Sequence, residues 1–281
     1  MAEGVEARFL RPAERGAALA HLGRDAEANL LLLDATARLG SAPAPGELPS
    51  EVVAAWRGPE LVGMAGLRPA VIFDARVEPE AVESFVPYLN ALAVGLVKSS
   101  PSAVDQLWGY LAGRRRALVD RLETAYSVRP GELRAAEPQR GAALRRATAG
   151  DLEALVLAAR ESLREEDRPD PFAGDAKGFR RWVRGRVDRA RVVEVEGRVV
   201  CVGYADVQRT EGWLVQGVYT WPEARRRGFA RLGVSQLCRE AFEAGADHVQ
   251  LAVVEDNTAG RRLYEGLGFE AFSELRTILF T

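Results

Sequence analysis

The chain has 281 residues, 47% hydrophobic and 28% charged, with a formal net charge of −2. That composition fits a globular protein of one or two domains and excludes a general affinity for nucleic acid, which needs a basic surface. Two cysteines and two histidines at these spacings exclude a metal cluster, and no run of eighteen apolar residues suggests a membrane span.

Taken in order, Val5 to Arg11 is a short strand and Pro12 to Leu22 a helix, followed by a strongly apolar helix over 29–40. Residues 41–50 form a Pro/Gly/Ser loop. Two apolar runs, 51–56 and 61–67, flank Arg57-Gly58-Pro59-Glu60 and predict a hairpin. Strand 70–74 precedes a helix over 79–93 that starts on Pro79 and can kink at Pro87. Strand 95–99, a helix over 102–114 with Ser102 as its cap, and strand pieces near 117–122 and 125–130 complete the half. Residues 128–143 hold two Pro, two Gly and no apolar period, and predict a linker.

The second half starts the same way. Leu144-Arg145-Arg146-Ala147 echoes Leu10-Arg11-Pro12-Ala13, and the hairpin over 192–207 echoes 52–67, both at an offset of 134 to 140 residues. Thr148 and Asp151 predict a capping box before a helix over 151–163. These echoes predict a tandem duplication, with domains over 1–135 and 142–281.

Residues 214–219 are an apolar strand that Pro222 ends. Arg225-Arg226-Arg227-Gly228-Phe229-Ala230 turns into a helix whose apolar stripe is Phe229, Leu232, Leu237 and Ala241. A glycine and three arginines at a helix N-terminus suit a phosphate. The first amides there have no internal partner, the dipole adds positive charge, and arginine forks match phosphate oxygens. About thirty residues on, strand 248–254 leads to Asn257, Leu263-Tyr264 and Gly268-Phe269. Asn257 also fits a simple helix cap, and Tyr264 a core aromatic.

Together, the strand, the Arg-x-x-Gly-x-Ala loop, the helix, the next strand and the Asn…Leu-Tyr…Gly-Phe cluster resemble the GCN5-related N-acetyltransferase (GNAT) family over roughly residues 142–281. The resemblance implies an α/β fold with a mixed sheet, built twice, and a degenerate N-terminal copy. After strand 70–74 the first half carries Asp74, Glu78 and Glu80, which repel a pyrophosphate, and it lacks the glycine loop. The resemblance also implies acetyl-CoA as co-substrate, no metal, and direct transfer of the acetyl group to a small-molecule or protein amine. It places the pantetheine along Val218, Tyr219 and Thr220 and near Asn257. The pyrophosphate falls over Arg225, Arg226, Arg227, Gly228, Phe229, Ala230 and Arg231, and Tyr264 becomes the general acid. The strand that often carries the family's glutamate base has none, so Glu211, just before it, is the nearest carboxylate.

The acceptor segment falls at 168–182, where Phe172 and Phe179 can line a pocket. The neighbouring Glu165, Glu166 and Asp167 favour a cationic amine, or form a solvated helix end. His248, Trp213 and Trp221 read as core or rim residues, and Cys201 and Cys238 as buried thiols. The resemblance is compatible with a homodimer. The expected location is cytoplasmic, without a membrane partner. Three further readings stay open: a catalytically silent acyl-CoA-binding or regulatory protein, a partner-binding protein in which both halves are scaffold, and an enzyme resembling mycothiol synthase, another tandem member.

Overall fold

The computed structural model describes residues 4–68, 70–92 and 94–281. The chain divides into two compact units. The first comprises residues up to 43, 48–124 and 273–281; the second comprises 44–47 and 125–272.

In the first unit, β1 (Val5–Phe9), β2 (Glu51–Arg57), β3 (Glu60–Arg68) and β4 (Ile72–Phe73) form a sheet in that order. β1 and β2 are antiparallel from Val5 opposite Arg57 to Phe9 opposite Val53. β2 and β3 make the hairpin that the Arg57–Glu60 turn predicts. Helices α1 (Arg15–Leu22) and α2 (Leu30–Ala37) bury Leu22, Leu32 and Leu33 against Val52, Ala54 and Met64. Helices α3 (Pro79–Asn90) and α4 (Pro101–Leu111) pack Phe85, Leu89, Leu107 and Leu111 with Val53, Ala65 and Val97. At about 1.5–3 kcal/mol for each buried leucine or phenylalanine, these stripes rather than helix propensity hold the helices. Strand β5 (Gly95–Ser99) pairs antiparallel with residues 276–280 of β12 (Glu270–Phe280). Phe280 fills the space over Gly95 so closely that a Cβ there would lie 2.5 Å from the ring.

Several local expectations change. The strand predicted over 70–74 is only the two residues of β4. α3 runs through Pro87 and stops at Asn90; residue 93 of the predicted helix lies outside the described residues. α4 begins one residue before Ser102, because Pro101 is pre-set for a first helical position, so Ser100 stands at the cap and Ser102 is inside. The two strand pieces near 117–130 are one strand, β6 (Ala117–Val128).

In the second unit, the sheet order is β7 (Ala142–Arg146), β8 (Ala190–Val195), β9 (Arg198–Gln208), β10 (Trp213–Thr220), β11 (Val249–Val254) and the end of β6. Helices α5 (Leu152–Glu165) and α6 (Ala176–Arg184) cover one face with Leu155, Phe179 and Val183 on Val192, Val202 and Tyr204. Helices α7 (Phe229–Glu243) and α8 (Thr258–Gly266) cover the other with Leu237, Cys238 and Tyr264 on Ala205, Val215 and Leu251.

Both units open alike, on a strand and a 3₁₀ turn into a helix. In each turn an acid accepts the N–H of the residue three positions before it, Glu14 from Arg11 at 3.1 Å and Asp151 from Thr148 at 2.7 Å. Among the described residues no helix is long and apolar enough to cross a membrane.

Candidate active site

The candidate site lies where β10 and β11 part. They are parallel, and their register covers only Trp213 opposite Val249 and Leu214 opposite Gln250. Beyond that β10 shifts register against β9 twice, between Leu214 and Val215 and between Gln216 and Tyr219. Within the second shift Gly217 takes φ +58°, and a Cβ there would lie 3.1 Å from the Tyr204 ring. Glycine is the residue that fits both demands. The bulges carry β10 away from β11. Its peptide groups past Leu214 are thereby left open on one edge, as in any strand without a neighbour.

The strand ends at a short 3₁₀ turn, Pro222–Ala224, and the chain reaches α7 through Arg225–Gly228. Gly228 sits at the cap position with φ +84° and no side-chain cap, and the Leu232 N–H donates to its carbonyl at 3.0 Å. The amides ahead of Leu232 are the unpartnered donors of a helix start. The Cβ of any larger residue at 228 would lie 2.6 Å from the Gln139 side-chain nitrogen, whose amide donates to the Arg227 carbonyl at 3.3 Å. Arg226 is left-handed at φ +58°, a strained state for a residue other than glycine.

The residues expected around a pyrophosphate divide by what holds them. Arg226 and Arg227 are exposed, with the Arg227 guanidinium 5.0 Å from the Phe229 ring. Phe229 is buried with Leu232, and Ala230 is partly buried beside it, so both face the opening through their backbone. Arg231 is tied elsewhere: it donates to the Arg134 carbonyl at 2.9 Å and the Gly266 carbonyl at 2.8 Å, clamping the linker and the end of α8. Arg225 donates to both oxygens of Glu165, at 2.6 and 2.7 Å, and to the Thr220 carbonyl at 2.9 Å.

On β10 the side chains alternate. Val218 packs toward α7. Tyr219 turns to α5, stacks edge-on against Trp221 at 5.4 Å and donates its hydroxyl to Glu165 at 3.1 Å. Burial, then that hydrogen bond, raise the Tyr219 phenol above its ordinary value. Thr220 donates to the Cys201 sulfur. Asn257 caps α8, its Oδ1 accepting from the Gly260 N–H at 2.8 Å, which leaves the amide NH₂ as its remaining donor. Tyr264, on α8, is buried edge-on to Phe269 at 5.7 Å, and burial raises its phenol well above 10, so it keeps its proton at neutral pH.

Glu211 does not fit the expectation of a base. It lies in the turn before β10, at the end where β10 and β11 are still paired. Its carboxylate takes two bonds from Arg209, at 2.7 and 3.1 Å. Those bonds hold its pKa below the usual value, the wrong direction for a proton acceptor. Two of the three acids at the end of α5 are likewise committed, Glu165 to Arg225 and Glu166 to Arg168 at 3.6 Å, which weakens the basis for preferring a cationic acceptor. Phe172, Phe179 and Trp182 pack on one another at 5.5–5.8 Å as core and rim of α6. His248 is buried and pairs with Gln250 at 2.8 Å. Both cysteines are buried and free, with burial raising the Cys201 thiol to about 11.

Residues 153–269 match the model of the acetyltransferase (GNAT) family. No curated protein matches the chain. Among solved structures, a Drosophila protein matches with TM-score 0.74 at 13% identity, covering 98% of this chain and 99% of its own. A GCN5-related N-acetyltransferase from Sphaerobacter thermophilus matches with TM-score 0.63 at 16% identity, covering 98% and 95%. A tandem GNAT protein from the clavulanic acid biosynthesis pathway matches with TM-score 0.55 at 14% identity, covering 98% of each chain. The GNAT family match thus falls within the second unit, and the chain as a whole, its first unit included, shares the fold of tandem GNAT proteins.

Proposed function

We propose that the second unit transfers the acetyl group of acetyl-CoA to an amine, in a ternary complex and without a covalent enzyme intermediate. The observation that carries this reading is the opening between β10 and β11, which leads directly to the open amides at the start of α7. In this reading the free backbone edge of Val218, Tyr219 and Thr220 holds the pantetheine amides. The amides from Arg226 to Arg231, with the Arg226 and Arg227 guanidinium groups, hold the pyrophosphate. Asn257 offers its NH₂, and Arg225 faces the same loop.

The chemistry asked of the protein is small. The amine nitrogen forms a bond to the thioester carbonyl carbon, the C–S bond breaks, and sulfur leaves with the electron pair. Tyr264, protonated and buried, gives its proton to that sulfur. No carboxylate stands on β10 between Trp213 and Thr220, so the amine proton is assigned to solvent in the opening. Proximity supplies most of the rate. Thiol release from acetyl-CoA across a panel of small amines and amine-bearing peptides tests this. The expected result is turnover with at least one acceptor that falls when Tyr264 is replaced by Phe. The missing β10 carboxylate also favours a second reading, a silent acyl-CoA-binding protein. Tight acetyl-CoA binding with no turnover on any acceptor would establish that one instead.

A further inference from the structure

Arg225 is the first arginine of the cofactor loop, yet its main contacts are with α5. Its Nη2 reaches both oxygens of Glu165, its Nε donates to the Thr220 carbonyl, and its guanidinium lies 5.6 Å from the Tyr219 ring. Glu165 is the last residue of α5, sixty positions away in the chain, and it also accepts the Tyr219 hydroxyl. One carboxylate thus gathers the end of α5, the strand β10 and the loop before α7.

We propose that Glu165 is a positioning residue for the acyl-CoA site: it fixes Arg225, and through it the strained Arg225–Gly228 turn, in the form that receives the phosphates. The proposal rests on the acyl-CoA reading given above.

Four observations support it. The side chains of Glu165 and Arg225 are 36% and 40% exposed, and ion pairs that exposed add little to stability, so the geometry of the pair is its main consequence. With Nε and Nη2 committed, Nη1 is the edge of the guanidinium left to turn toward a ligand, which lowers the ordering cost of binding. A carboxylate near a phosphate site is unfavourable unless neutralised, and Arg225 neutralises this one. The turn it steadies is strained, with Arg226 at φ +58° directly after Arg225.

The test is a double-mutant cycle on the full chain, read by calorimetric titration of acetyl-CoA and by KM and kcat. Glu165→Ala should weaken acetyl-CoA about 10-fold, the scale of one charge-assisted contact, and raise its KM with kcat at saturation retained. Arg225→Ala should weaken it at least as much. The double variant should be no weaker than Arg225→Ala alone, because Glu165 acts only through Arg225. Glu165→Gln, which keeps an acceptor oxygen, should restore part of the loss. Tyr219→Phe, which leaves the ion pair in place, should cost about 2-fold. Equal affinity in Glu165→Ala and the parent would overturn the proposal. So would effects that simply add in the double variant, the mark of a merely structural role. Absence of acetyl-CoA binding in the parent chain would overturn the acyl-CoA reading and this proposal with it.

Discussion

The two units carry the same strand–turn–helix, and they use its amides in opposite ways. In the first unit the turn after β4 satisfies its own donors. Asn29 accepts the Ala75 N–H at 2.8 Å, and Asp74 takes the Arg76 N–H at 2.9 Å on one oxygen and the Met64 N–H at 2.5 Å on the other. The Val77 N–H reaches the Asp74 carbonyl, and α3 begins on Pro79, which has no N–H to offer. Asp74 is buried and fills the role of a built-in anion. In the second unit Gly228 has no side-chain cap, Arg226 and Arg227 stand exposed, and the donors face outward. A shared fold thus leaves open whether a turn binds an anion. That is decided by whether a neighbouring carboxylate and amide have already taken its donors.

The largest break in this comparison should come from Gly228→Glu. It places a side chain at φ +84° against Gln139 and a negative charge among the amides, so acetyl-CoA affinity should fall on the order of 100-fold or more by calorimetry, with the thermal midpoint lowered by a few degrees from the strain alone. Tyr264→Phe should come next. It removes the proton and little of the packing, so kcat should fall on the order of 100-fold while acetyl-CoA affinity stays within about 2-fold.

Asp74→Ala tests the other unit. It orphans the Met64 and Arg76 amides and should cost about 2–4 kcal/mol in chemical denaturation, leaving acetyl-CoA affinity untouched. A gain of a second acetyl-CoA site in that variant would show that Asp74 was holding a competent site shut.

The smallest effect is one of pH, and it sharpens the comparison because each unit has its own sensor. In the first, burial pushes the Glu123 carboxyl up. The charge and hydrogen bond of Lys98, with Thr277 and Arg121, outweigh that and hold it at about 2, against an ordinary 4.5. In the second, the Arg145 hydrogen bonds outweigh burial and hold Asp151 at about 2, against 3.8. Both folded pKa values lie below the unfolded ones, so each carboxylate stabilises above its unfolded pKa and loses that contribution as pH falls toward 2. Calorimetric melts between pH 6 and pH 2.5 should show the midpoint falling below about pH 4.5. Glu123→Gln should flatten the part due to the first unit.

How much of this was legible in the sequence follows from how local each feature is. The loop before α7 could be read because a glycine, three arginines and the α7 stripe are consecutive. The repeated hairpins, and the Thr148–Asp151 turn before α5, could be read for the same reason. The contacts that shape the site could not. Glu165 meets Arg225 across sixty residues, and Arg231 meets the linker carbonyl of Arg134 across ninety-seven. Arg231 and Glu211 look suited to ligand and proton in the sequence because composition does not show that a side chain is already paired. Nor does local periodicity say which strand residues 276–280 will pair with; that depends on the cross-strand partners Gly95 to Ser99.

The central claim is that the working site lies in the second unit and is single. Calorimetric titration of acetyl-CoA into the full chain, with Gly228→Glu alongside, tests it most directly. The account predicts one mole bound per chain, lost in the variant. Two moles per chain, or one mole that survives the substitution, would contradict it.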